Sequence, residues 1–160
     1  MTMYPAPPQG TPPTPGYGSG ASGPRAGFWT RFAALFLDGI IIAIVPIVVI
    51  AIAAGSHSRG LVAFGYILYF VLYVAYFVYF EGGPTGQTLG KRALGIRIID
   101  FNNGGPIGYG RAFIRLIGRI ISGLFCYLGY LWMLWDKEKQ CWQDKMANDV
   151  VVPVQYYPVQ

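Results

Sequence analysis

Residues 31–54, RFAALFLDGIIIAIVPIVVIAIAA, decide the fold: the 23 residues from 32 to 54 carry one charge, Asp38, and Arg31 stands at their entrance. As a helix this run is about 34 Å long, enough to cross a bilayer. A carboxylate held in hydrocarbon costs roughly 3 kcal/mol even on mild insertion scales, so Asp38 requires a partner, a proton or a function.

Downstream, residues 61–80 form a second uncharged run of 20 residues, about 30 Å as a helix. The link GSHSRG at 55–60 is short enough to force an antiparallel hairpin. Arg25 and Arg31 before the first span, and Lys91, Arg92, Arg97, Arg111 and Arg115 after the second, then share one side, against Arg59 on the other. The positive-inside bias makes the shared side, and with it the N-terminus, cytoplasmic in a multi-pass cell-membrane protein.

The whole composition agrees: 160 residues, 54% hydrophobic, 16% aromatic and 12% charged, far from a soluble balance. The net charge of +5 does not indicate nucleic acid, because the basic residues flank apolar runs, as in a chain anchored against anionic headgroups. Pro, Gly, Ser, Thr and Ala dominate residues 1–27, which read as a disordered tail of the composition that PPII-binding protein partners take. The run from residue 32 is too long for a cleavable leader, so it is expected to remain as an anchor. The transmembrane domain is thus 28–154, followed by a short tail at 155–160.

A third apolar stretch at 116–135 contains Arg119 and the breaker pair Ser122-Gly123. A straight third span would carry Lys137, Lys139, Lys145 and the C-terminus outside. Against this, 94–100 (LGIRIID) and 150–154 both read as strands, and lone strands are unstable unless they pair. The expected fold is an all-α membrane bundle of two long spans plus a re-entrant hairpin over 111–135, with a short cytoplasmic β pairing; a simple third span is the alternative.

On a helix, Arg31 and Asp38 lie within about 20° of one face and about 10 Å apart along the axis. Both side chains lean towards the helix N-terminus, so a direct bond would be stretched and Asp38 needs another partner. Arg111, Arg115 and Arg119 recur every fourth residue, and Arg115 or Arg119 could reach Asp38 from a packed third segment. Pro46 removes an amide donor and frees the Ile42 carbonyl one turn from Asp38. A carboxylate beside a free carbonyl suits a proton or small-cation path; the plainer reading is a kinked helix stapled by an Asp–Arg pair.

GGPTGQTLGKR at 82–92 is not a nucleotide loop, since Thr85 and Arg92 stand where that motif needs Gly and Ser or Thr. Its expected role is a turn that places Lys91 and Arg92 at lipid phosphates, with an anion site built from its amides as the alternative. Tyr66, Tyr69, Tyr73 and Tyr76 form one face of the second span, a packing surface whose hydroxyls bond polar neighbours such as Asp38, or the lining of a cation path. His57 falls in the exterior loop and Cys126 in an apolar run. Neither completes a nucleophilic triad or a metal site, so no enzyme, cofactor or metal is expected.

These residues resemble the RDD family of membrane proteins, named for one arginine and two aspartates. The resemblance rests on GFWTRFAALFLD, GQTLGKRALGIRIID, RAFIRLIGR and QDKMANDVVV, and covers all but the tails. It carries the family arginine onto Arg31 and the aspartates onto Asp38 and Asp144. Where members often show a His-Asp pair and a threonine, this chain has Gln143-Asp144 and Asp149. The resemblance implies transport of unidentified ligands, with sodium/proton exchange suggested for some members. A homo-oligomeric polar pathway through Asp38 is the expectation it favours. The alternative is a structural or accessory module whose ion pairs lock its helices.

Overall fold

A computed structural model describes residues 23–55, 58–125 and 127–157. Most of the proline-rich tail, together with His57 and Cys126, lies outside the described residues. The first apolar run becomes helix α1 (Phe28–Gly55). Its buried positions are Arg31, Ala34, Asp38, Ile42, Pro46 and Ala53, mostly one turn apart, so a single stripe faces the protein. The rest of the helix is apolar and exposed, including Phe36, Ile44 and Ile52, as a bilayer solvent requires. Pro46 sits on the inner stripe and the helix continues through it.

Helix α2 (Arg59–Gly82) is N-capped by Ser58, whose hydroxyl accepts from the Leu61 amide. It runs back against α1, and a Cβ at Gly65 would meet Ile50 Cγ1 at 2.6 Å, so this glycine sets how closely the helices approach. The glycine-rich loop then leads into the single turn α3 (Leu89–Ala93) and strand β1 (Ile96–Asp100).

The third apolar stretch is not a straight span. Helix α4 (Gly108–Leu124) ends in a bend of 111°, and α5 (Leu128–Leu131) with a 3-10 turn (Trp132–Leu134) runs off at that angle. On α4 the buried face is Ala112, Arg115, Leu116, Gly118, Arg119 and Ser122. The outer face exposes Phe113, Ile114, Ile117 and Ile120. A basic stripe turned inward and an apolar face turned out would suit an apolar surrounding.

Helix α6 (Trp142–Ala147) leads to strand β2 (Asp149–Pro153), which pairs antiparallel with β1 from Ile96↔Pro153 to Asp100↔Asp149. The expected strand pairing is therefore present, and it returns the chain to the end of the hairpin where α1 begins. Both outer edges are tied down. Ala26 N–H donates to the Val151 carbonyl at 2.9 Å, and Ile98 N–H to the Gly86 carbonyl at 2.8 Å. One sheet face, Ile96, Ile98 and Val151, packs on Ala34 and Ala112. The other, Ile99, Val150 and Val152, is covered by Phe101 and Tyr157. Ala26 and Tyr157, read from sequence as parts of the two tails, are thus built into the sheet layer.

Candidate functional site

At the junction of sheet and helices lies a buried charge cluster, and Asp38 is its edge nearest the apolar core. Its Oδ1 accepts from the Tyr76 hydroxyl at 2.7 Å and the Gly90 amide at 2.7 Å, and its Oδ2 accepts from the Thr88 hydroxyl at 2.5 Å. Thr88 is the N-cap of α3 and also accepts from the Lys91 amide. The glycine-rich loop does bind an anion with its amide, and that anion is the protein's own carboxylate. This corrects the expectation that Arg115 or Arg119 neutralises Asp38. Both arginines are drawn to other carboxylates that lie closer to the sheet. Tyr76 bonds Asp38 as the tyrosine face suggested.

Arg31 points towards the N-terminal end of α1, as its lean along the helix requires, and meets Asp144 Oδ2 at 2.6 Å. Its Nε donates to the Ala26 carbonyl and its Nη2 to the Val151 carbonyl, so one guanidinium joins α1, α6 and β2. Asp144 occupies the first turn of α6, where the same Oδ2 accepts from the Cys141 amide at 2.9 Å. Its other oxygen takes Arg115 Nη1, which also contacts Asp149 Oδ1. Burial acts to raise the Asp144 carboxyl, but Arg115 and Arg31 hold it below the usual carboxylate range. Asp149 shares one nitrogen of Arg115 with Asp144; burial pushes its carboxyl up to about 7 despite that guanidinium.

The third part is Glu81, at the end of α2 and fully buried. It accepts from Lys91 Nζ at 2.5 Å and Arg119 Nη2 at 2.6 Å, and Arg115 Nε forms an ion pair with it at 3.1 Å without a hydrogen bond. Lys91 is therefore not at the lipid phosphates. It is 6% exposed, and burial lowers the pKa of its ammonium against the pull of Glu81. The cause of the correction is the helical turn of α3, which sends adjacent side chains in different directions: Lys91 turns inward and Arg92 stays exposed. The Arg119 guanidinium also lies over the Phe77 ring, 4.1 Å from its centroid. One turn further along α1 the surroundings are apolar, since Ile42 packs with Phe77 and Leu116. Pro46 lies beyond Ile42 on the same stripe.

Within the cluster is a void of about 20 Å³, walled by Arg31, Asp38, Lys91, Arg115, Arg119 and Gln143 among others. That is room for about one water molecule. Four cationic side chains on its wall oppose entry of a metal cation. Among the described residues, no group of three or more His, Cys, Asp or Glu side chains is arranged to hold a metal ion.

Sequence reasoning brought Arg31, Asp144, Arg115, Arg119 and Asp38 into view, and all five belong to this one cluster. It missed Glu81, Thr88 and the roles of Gly90 and Gln143. For Glu81 the signal was present: it is the first charge after the second apolar run. For Thr88, the signal was a hydroxyl three residues before Lys91 at the start of a helical turn.

The RDD family's sequence pattern matches residues 25–148. The chain is 33% identical over 84 residues to the proline-rich antigen homolog of Mycobacterium tuberculosis (strain ATCC 25618 / H37Rv), covering 51% of this chain and 35% of that protein. It is 31% identical over 98 residues to the proline-rich antigen of Mycobacterium leprae (strain TN), covering 59% of this chain and 39% of that protein. The chain thus spans little more than a third of the length of these curated relatives. With the uncharacterized protein YxaI of Bacillus subtilis (strain 168) it is 25% identical over 134 residues, covering 71% of this chain and 88% of that protein. No solved structure matches. The matched region begins at Arg25 and ends at Asn148, enclosing both apolar helices and most of the buried charge cluster, and the chain belongs to the RDD family.

Proposed function

We propose that this RDD chain is a non-enzymatic membrane module whose buried charges lock its helix ends onto a small cytoplasmic sheet. The observation that carries this reading is closure. Arg31, Lys91, Arg115 and Arg119 each end on a buried carboxylate, the void between them has room for about one water, and the next turn is apolar. Breaking a buried pair leaves an uncompensated charge, so such a cluster fixes one arrangement of α1, α2, α4 and α6 against alternatives. The exposed Arg92, on the side to which the positive-inside bias assigns the sheet, then meets anionic headgroups. The proline-rich segment 1–27, a feature that the names of the mycobacterial relatives also carry, is the part assigned to a protein partner.

One observation favours the second reading, cation/proton exchange through a homo-oligomer. Asp38 is held by neutral donors, two hydroxyls and an amide, so its charge is the one in the cluster without a paired cation. The test is reconstitution of the full chain in vesicles, following internal pH under imposed Na⁺, K⁺ and proton gradients for the wild type and Asp38→Asn. The locking reading expects wild-type flux equal to that of empty vesicles and a lower thermal midpoint for Asp38→Asn. Wild-type flux that Asp38→Asn abolishes without loss of stability would replace it with exchange.

A further inference from the structure

Three side-chain atoms of residues lining the 20 Å³ void lack a hydrogen bond: Arg115 Nε, which ion-pairs with Glu81, and two of opposite kind, on Arg119 and Gln143. Arg119 Nη1 is a buried donor with no hydrogen-bond partner, and Gln143 Oε1 is a buried acceptor with none. Arg119 is 8% exposed and Gln143 2%. Gln143 is held in place by backbone contact, since a Cβ at Gly118 on α4 would come within 2.8 Å of its Cα. Leaving a buried guanidinium N–H and a buried amide oxygen both empty is expensive, and a roomy polar void normally resolves this with water.

We infer that the void is a hydration site, holding one water molecule that accepts from Arg119 Nη1 and donates to Gln143 Oε1 beside Asp38. The chemistry selects water over an ion. A metal cation would face four cationic side chains, and a halide, which those side chains would attract, has no proton to donate to Gln143 Oε1. Water alone satisfies both orphans, because it accepts and donates at once. The site brings solvent to the one carboxylate of the cluster that lacks a cation, which a locked module tolerates and an exchanger would require.

X-ray hydroxyl-radical footprinting of the full chain in nanodiscs tests this, because radicals born from a trapped water mark the side chains around it. Tyr130 lines the void and is 8% exposed; Tyr157, in the sheet layer, is 7% exposed and supplies a control of the same residue type. Tyr130 is expected to be modified severalfold faster than Tyr157, and Gln143→Met, which fills the void and removes the acceptor, to bring the two rates together. Equal rates in the wild type would overturn the proposal, as would a Tyr130 rate unchanged in a folded Gln143→Met protein. A shift in wild-type thermal midpoint when chloride is replaced by gluconate at equal ionic strength would likewise overturn it, in favour of a halide.

Discussion

The amide of Gly90 donates to Asp38 Oδ1 at 2.7 Å, and a Cβ on residue 90 would come within 2.3 Å of the Ala34 carbonyl oxygen and 2.9 Å of that same Oδ1. The carboxylate is thus satisfied by backbone pressed directly against α1. Only a residue without a side chain permits the approach. Gly90→Ala is expected to push α3 off α1 and destabilise the fold by about 1–3 kcal/mol, the usual range for forced overpacking. Gly110, which has open space where its Cβ would be, serves as the control, and Gly110→Ala should stabilise α4 by about 0.5–1 kcal/mol. Unfolding in mixed SDS micelles reads both. An unperturbed Gly90→Ala protein would mean that α3 does not sit against α1.

Arg31 and Asp144 come from opposite ends of the domain, 113 residues apart, and meet fully buried at 2.6 Å. Removing either partner leaves a buried charge, so Arg31→Met and Asp144→Asn are each expected to destabilise by about 3–5 kcal/mol. The double variant should lose less than the sum, with a coupling of about 1–3 kcal/mol. Strict additivity in the double-mutant cycle would show that the pair does not form.

Lys91 and Arg92 are neighbours with opposite fates. Lys91→Met leaves Glu81 with Arg115 and Arg119, so its loss is expected to be moderate, about 1–3 kcal/mol. Arg92→Gln should leave the unfolding midpoint within measurement error. If both bound lipid phosphate, both substitutions would instead weaken flotation with anionic vesicles and neither would unfold the protein. Equal stability of the two variants is the outcome that contradicts the buried Lys91–Glu81 pair.

The spans, the hairpin, the strand pairing and the inward basic stripe of α4 were legible because each is a periodic or compositional property of one segment. Helical geometry also showed that Arg31 would not reach Asp38. It could not show what would, because the partners Tyr76, Thr88 and Gly90 come from two other elements. Their groups are neutral, whereas charge counting searches for cations. Lys91 misled for a related reason: flanking basic residues look alike in sequence, and only the turn of α3 separates the one that faces Glu81 from the one that faces outward. Glu81 went unread because it ends an apolar run and so passes for a boundary.

Asp149 gives the cluster a pH dependence of opposite sign to its neighbour. The groups facing it are Arg115, Asp144 and Glu81, and burial with only half of one guanidinium raises its carboxyl to about 7, above the roughly 3.9 of an unfolded aspartate. Between those values the folded state binds more protons than the unfolded state, so this group's stabilising contribution is fully present below about pH 4 and is lost as pH rises towards 7. Asp144 acts the other way. Its lowered pKa gives stability that is present above about pH 4 and lost on further acidification. From pH 4 to 7 the Asp149 effect therefore stands alone within this pair. Asp149→Asn, which keeps the volume and cannot ionise, is expected to gain stability relative to the wild type steadily across that window, with the difference levelling off above pH 7. The check is SDS unfolding of both proteins at half-unit steps from pH 4 to 8. A difference independent of pH would mean that Asp149 is ionised throughout, with Arg115 sufficient for both carboxylates.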